Sequence, residues 1–93
     1  MKLKEIDELI CNVFGVTDAE LHLRTRKREI VEARQMAIYV RAKYLDIPPR
    51  VCGDHFGLDR TTCIHAINNI INLMGNNKYF RSRANEVLNE IEK

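Results

Sequence analysis

Apolar residues recur at three- and four-residue steps along almost the whole chain, and no stretch alternates apolar and polar positions as a half-buried strand does. Leu3, Ile6, Leu9, Ile10 and Val13 form the first stripe. Phe14-Gly15 closes it, glycine being the residue that most readily takes the left-handed turn beyond a helix end. Thr17 followed by Glu20 has capping-box spacing and predicts a short helix through about Leu21. Residues 23–29, LRTRKRE, carry no apolar period and predict a loop or a frayed helix start. A long helix is expected over Glu29–Leu45. On its wheel Ile30, Ala33, Met36, Ala37, Val40 and Tyr44 make one apolar band, and Val31, Ile38 and Ala42 make a second. Two bands mean packing on two sides, with Arg34 and Arg41 in the strip between them.

Pro48-Pro49 stops that helix and suits the first turn of the next, which is expected over Pro49–Phe56 with Gly57 as its end. From about Arg60 to Met74 the faces separate sharply. Cys63, Ile64, Ile67, Ile70, Ile71 and Met74 lie on one side, and Thr61, His65, Asn68, Asn69 and Asn72 on the other. Gly75-Asn-Asn77 is read as a break, followed by a last helix over Lys78–Glu92 that turns Phe80, Ala84, Val87, Leu88 and Ile91 inward. The pattern predicts an all-α protein, one domain over residues 1–93 with five or six helices, no repeats and no linkers.

Composition narrows the class. A chain of 93 residues with 45% hydrophobic and 30% charged side chains is an ordinary globular domain with no room for two cores. No apolar stretch approaches the length of a membrane helix or a signal-peptide core. The three cysteines form no CxxC pair and are read as reduced thiols of a cytoplasmic protein. No GxxxxGK[ST] occurs, which excludes a classical P-loop. The net charge of +2 conceals an asymmetry. Residues 1–23 carry two basic and five acidic side chains, whereas residues 24–60 carry nine basic and five acidic. A basic middle behind an acidic start points towards a polyanion-binding face.

Pro49–Phe56, the glycine turn and the helix from Arg60 have the form of a helix-turn-helix whose second helix presents an uncharged polar face. Such a face suits a major groove, where hydroxyls and amides pair with base edges and methyls touch thymine. Thr61 and Thr62 offer hydroxyl and methyl together, and Asn68 and Asn69 offer amides. Arg60 reaches a guanine or a phosphate. These residues leave two readings open, a module that reads duplex DNA and a protein-interaction module whose basic loop is merely solvated. A metal centre is disfavoured, because Cys63 and His65 at i, i+2 point away from each other on a helix and Cys63 belongs to the apolar face. No catalytic role is expected, since no group orients a Cys/His pair.

Two runs, RKREIVEARQMAIYV (26–40) and GDHFGLDRTTCIHA (53–66), resemble the C-terminal DNA-binding domain of the bacterial replication initiator DnaA. EARQMAIY and the F-G-x-D-x-T-T-x-x-H-A core carry the likeness, and their order and separation match as well. The resemblance implies a Trp-repressor-like helix-turn-helix that binds short duplex boxes, with a basic loop in the minor groove and the second motif helix in the major groove. By position, the loop role falls on Arg26, with Arg24, Lys27 and Arg28 around it. Arg34 and Gln35 match positions that hold the DNA backbone. Asp59, Arg60, Thr61 and Thr62 match the segment that meets base edges and phosphates. Pro49 and Arg50 open the first motif helix, where the family commonly shows Leu-Pro. Histidine usually stands where this chain has Arg60, and the turn before Asp59 is one residue shorter, so the bases recognised are expected to differ. The family's ATPase and partner-recruiting domains have no counterpart here, and no cofactor or nucleotide site is implied.

Overall fold

The computed structural model describes all residues, Met1–Lys93, as six helices without a strand: α1 (Leu3–Phe14), α2 (Asp18–Leu21), α3 (Arg28–Tyr44), α4 (Pro49–Phe56), α5 (Arg60–Asn76) and α6 (Lys78–Ile91). Most ends follow local chemistry. Gly15 stops α1 at φ 71° and donates its N–H to the Cys11 carbonyl. Thr17 and Glu20 cap α2 reciprocally, with N–H···O distances of 3.1 and 2.9 Å. Pro49 opens α4 and Gly57, at φ 66°, ends it.

α3 is the central element, packed against α1, α2, α4 and α5, while α6 closes over α1 and α5. Its expected two-sided packing is present: Ala33, Met36, Ala37 and Val40 are buried on one side and Ile38 on the other. Phe14 and Phe80 meet edge to face at 5.7 Å between centroids, joining α1 to α6. All three cysteines are free and buried in the helical core.

The structure corrects four details of the sequence reading. α3 begins at Arg28, so that residue is helical and Lys27 is its N-cap. The break placed over residues 75–77 falls at Asn77 alone, and α5 runs through Gly75 and Asn76. Glycine lowers helix propensity without forbidding it. Asn77 ends α5 and also caps α6, its side chain accepting from the Phe80 N–H at 3.0 Å. Arg81 Nε donates to the Met74 carbonyl at 2.8 Å, satisfying a carbonyl that the last turn of α5 leaves open. Ile71 and Tyr44, expected inward, are exposed. The buried stripe of α5 is Cys63, Ala66, Ile67 and Ile70, which leaves Ile71 on its edge. Arg41, expected in a strip between bands, is buried against Asp7 of α1.

Candidate nucleic-acid interface

The motif turn is built by residues that tolerate close approach. Gly53 lies where α4 meets the start of α5: a Cβ there would collide with the Leu58 carbonyl oxygen and lie 3.0 Å from Cys63 Sγ. The Leu58 N–H donates to the Gly53 carbonyl at 2.9 Å, closing the turn. Asp59 then caps α5, its Oδ1 accepting from the Thr62 N–H at 2.7 Å. Hydrogen bonds from the Thr62 backbone and hydroxyl hold the Asp59 carboxyl below its ordinary value. A carboxylate so engaged at a helix start is a cap first, and less free to accept from a base.

Beyond the cap, Arg60, Thr61 and Thr62 are exposed, and His65, Asn68, Asn69 and Asn72 continue the exposed face along α5. Within the first turn of α5 no acidic side chain stands beyond the Asp59 cap, so Arg60, Thr61 and Thr62 face outward with no carboxylate among them.

The basic segment lies beside this face. Arg34 Nη1 donates to the Leu23 carbonyl at 2.7 Å, and Arg24 Nη2 donates to the Gly57 carbonyl at 2.8 Å. Arg24, Arg26 and Arg34 converge on a cleft of about 270 Å³ that is backed by Phe56 and Leu58. Burial, and then the neighbouring Arg24 charge, lowers the pKa of the Arg34 guanidinium. The site thus holds like charges close together in partly desolvated surroundings, and an anion would relieve that. Arg26 also borders a second groove, with Arg28, Gln35 and Asn69. There Asn69 Nδ2 donates to Gln35 Oε1 at 2.6 Å, linking α5 to α3.

The structure therefore brings Arg24, Arg26 and Arg34 into one cleft, Arg26, Arg28 and Gln35 into the next, and Asp59, Arg60, Thr61 and Thr62 to one end of α5. Lys27 is exposed at the N-cap of α3, and Pro49 and Arg50 stand apart on the first turn of α4, bordering neither cleft. Sequence reasoning passed over Gly53 as a determinant of the motif's geometry. Its signal was an isolated glycine inside a helical pattern, which commonly marks a close approach.

A glycine-turned helix pair with a polar second helix, braced beside an arginine cleft, defines a helix-turn-helix domain. The chain belongs to the bacterial dnaA protein helix-turn-helix family, whose model matches residues 3–70. It is similar to the chromosomal replication initiator protein DnaA of Chlorobaculum tepidum, at 31% identity over 93 residues, covering 99% of this chain and 19% of that protein. The DnaA of Bacteroides thetaiotaomicron is 28% identical over 92 residues, covering 98% of this chain and 20% of its own length. That of Streptococcus equi subsp. zooepidemicus is 30% identical over 91 residues, covering 97% and 20%. The chain spans about a fifth of the length of these curated relatives.

Proposed function

We propose that residues 1–93 form a sequence-specific duplex-DNA-binding domain that serves chromosomal replication initiation or its regulation. In this reading α5 enters the major groove and the basic segment 24–28 enters the adjacent minor groove. The observation that carries it is the pairing of an exposed, uncharged donor–acceptor face on α5 with the arginine-lined cleft beside it. The first suits base edges and the second suits phosphates. Family membership and the relatives' name, replication initiator, support the same assignment. A protein acting on the chromosome in this way is nucleoid-associated in the cytoplasm, and its buried thiols suit that reducing compartment.

Anchoring and reading are divided. Arg26, Arg34 and Gln35 supply mainly affinity, while Arg60, Thr61 and Thr62 supply sequence preference. Arg60 presents a planar fork that fits guanine O6 and N7 together, a contact imidazole cannot make, so the box is biased towards G·C beneath it. Selection from a random duplex library with wild type and Arg60→His tests this. Distinct motifs, differing at the base pair under residue 60, are expected. Identical motifs would reduce Arg60 to a phosphate anchor. Failure of wild type to select any duplex at low salt would remove the DNA reading altogether and favour a protein partner.

A further inference from the structure

We infer that Arg24 is a positioning residue that sets the spacing between the two DNA-reading elements, an inference that rests on the duplex-binding function proposed above. The resemblance groups Arg24 with the basic loop that meets DNA. The structure gives its side chain an internal partner. Arg24 Nη2 donates to the Gly57 carbonyl at 2.8 Å across 33 residues of sequence. The same nitrogen lies 3.4 Å from where a Cβ on Gly57 would sit, so the guanidinium rests flush on the glycine. The Gly57 N–H closes the end of α4, but no backbone N–H donates to its carbonyl, and Arg24 is that oxygen's partner in the protein.

The preceding residue is held by α3, where Arg34 donates to the Leu23 carbonyl at 2.7 Å. Two consecutive residues are thus pinned, one to α3 and one to the motif turn. The Lys27 N–H in turn donates to Thr25 Oγ1 at 3.2 Å, which folds the following residues locally. Arg26 therefore projects from a fixed base. Gly57 precedes Arg60 by three residues and Asp59 caps α5 between them, so the Arg24 bond links the base of the minor-groove arm to the reading end of α5. One base pair of spacing moves two half-contacts by about 3.4 Å and about 35° relative to each other. A loop tied both to α3 and to the motif turn follows that displacement less readily than one held to α3 alone. Arg24 thereby converts two separate contacts into one site of defined spacing.

The test uses the duplex selected by the wild-type chain and two derivatives, with one base pair inserted or deleted between the parts read by the loop and by α5. Affinities of wild type, Arg24→Ala, Arg24→Lys and Arg26→Ala are measured over a salt series, with amide hydrogen exchange of residues 23–27 in the free proteins. Wild type should lose affinity on the order of tenfold for either displaced spacing. Arg24→Ala should bind all three duplexes within about threefold of one another, with its salt slope lowered by less than that of Arg26→Ala. Its loop amides should exchange faster. Arg24→Lys, which keeps a donor, should restore part of the spacing preference. Arg26→Ala should weaken all three duplexes alike and lower the slope by about 0.9. If Arg24→Ala instead behaves like Arg26→Ala, Arg24 is an ordinary phosphate contact and the inference falls while the DNA reading stands. If wild type binds no duplex, both fall together.

Discussion

Arg34 and Arg41 stand seven residues apart on α3, so they project from the same helix about two turns from each other, yet they occupy opposite kinds of surroundings. Arg41 is 2% exposed and meets Asp7 fork to fork, with both N···O distances at 2.8 Å. Its guanidinium also lies 5.0 Å above the Phe56 ring and donates to the Ala37 carbonyl. Arg34 faces no carboxylate. It donates to a loop carbonyl and has Arg24 as its charged neighbour. At the Arg41 end the protein supplies the counter-charge itself, and the arginine becomes part of the core. At the Arg34 end the chain supplies only a carbonyl and a second positive charge. A fully buried arginine thus says less about a ligand than a half-buried one answered only by carbonyls.

The largest effect that tests this contrast lies at the sealed end. Asp7→Ala leaves a buried, unpaired guanidinium and should destabilise the protein by about 3–5 kcal/mol in urea unfolding. Replacing both partners, Asp7→Leu with Arg41→Met, should recover most of that loss, because the desolvation cost of both charges disappears. Neither change should alter the duplex affinity of the folded fraction. A specific loss of affinity in the double variant would show that the sealed end takes part in binding.

Next in size is the glycine that sets the motif crossing. Gly53→Ala drives a methyl into backbone, which cannot rotate away, and should cost about 1–3 kcal/mol in thermal unfolding. Gly75→Ala should act in the opposite direction, by up to about 1 kcal/mol, since it lies within α5 with nothing within 4 Å of its added Cβ. The two glycines separate close packing from mere helix flexibility. At the open end of α3, Arg34→Ala removes one charged hydrogen bond and should cost only about 1 kcal/mol of stability. Its main effect should be an equal weakening on every duplex, with the salt slope reduced by about 0.9.

The smallest effects are in pH dependence, and they divide the molecule along the same line. Asp59, at the motif, is held below its ordinary value of 3.8 by hydrogen bonds from Thr62. Its contribution is complete above that ordinary value and is lost as pH falls through the lowered one. Asp59→Asn should flatten this acid limb of the stability curve. Cys11, on the acidic side of the molecule, is pushed from 9.0 up to about 11 by burial and then by Asp18 and Asp7. Because the folded protein keeps this thiol protonated, stability should decline as pH rises past 9. Cys11→Ser should shrink that alkaline decline, which Cys52 and Cys63, also pushed up by burial, share, and native-state alkylation of Cys11 should be slow at neutral pH.

The helices were legible because their signals are local. Apolar stripes recur within four residues, and Gly15, Pro48-Pro49, Gly57 and the Thr17–Glu20 box act on their own neighbours. The candidate interface was legible through family likeness, which singled out Arg26, Arg34, Gln35 and the segment Asp59–Thr62. Their separate roles were not legible. Arg24 looked like another loop cation until its partner, the Gly57 carbonyl, was placed 33 residues away. Asn69 looked like a free member of a polar face, but its amide donates to Gln35 Oε1, 34 residues away.

By itself the sequence determined an all-α domain, the order of its helices and the family to which its motif belongs, because periodicity, caps and turns depend on neighbouring residues. Tertiary structure alone decided that Asp7 neutralises Arg41, that Arg34 has no carboxylate, and that Gly53 lets α4 approach the start of α5. Burial of a charge and its choice of partner depend on which helix is laid against it. In this chain those partners lie 34 residues apart for Asp7 and Arg41, far outside the reach of any local pattern.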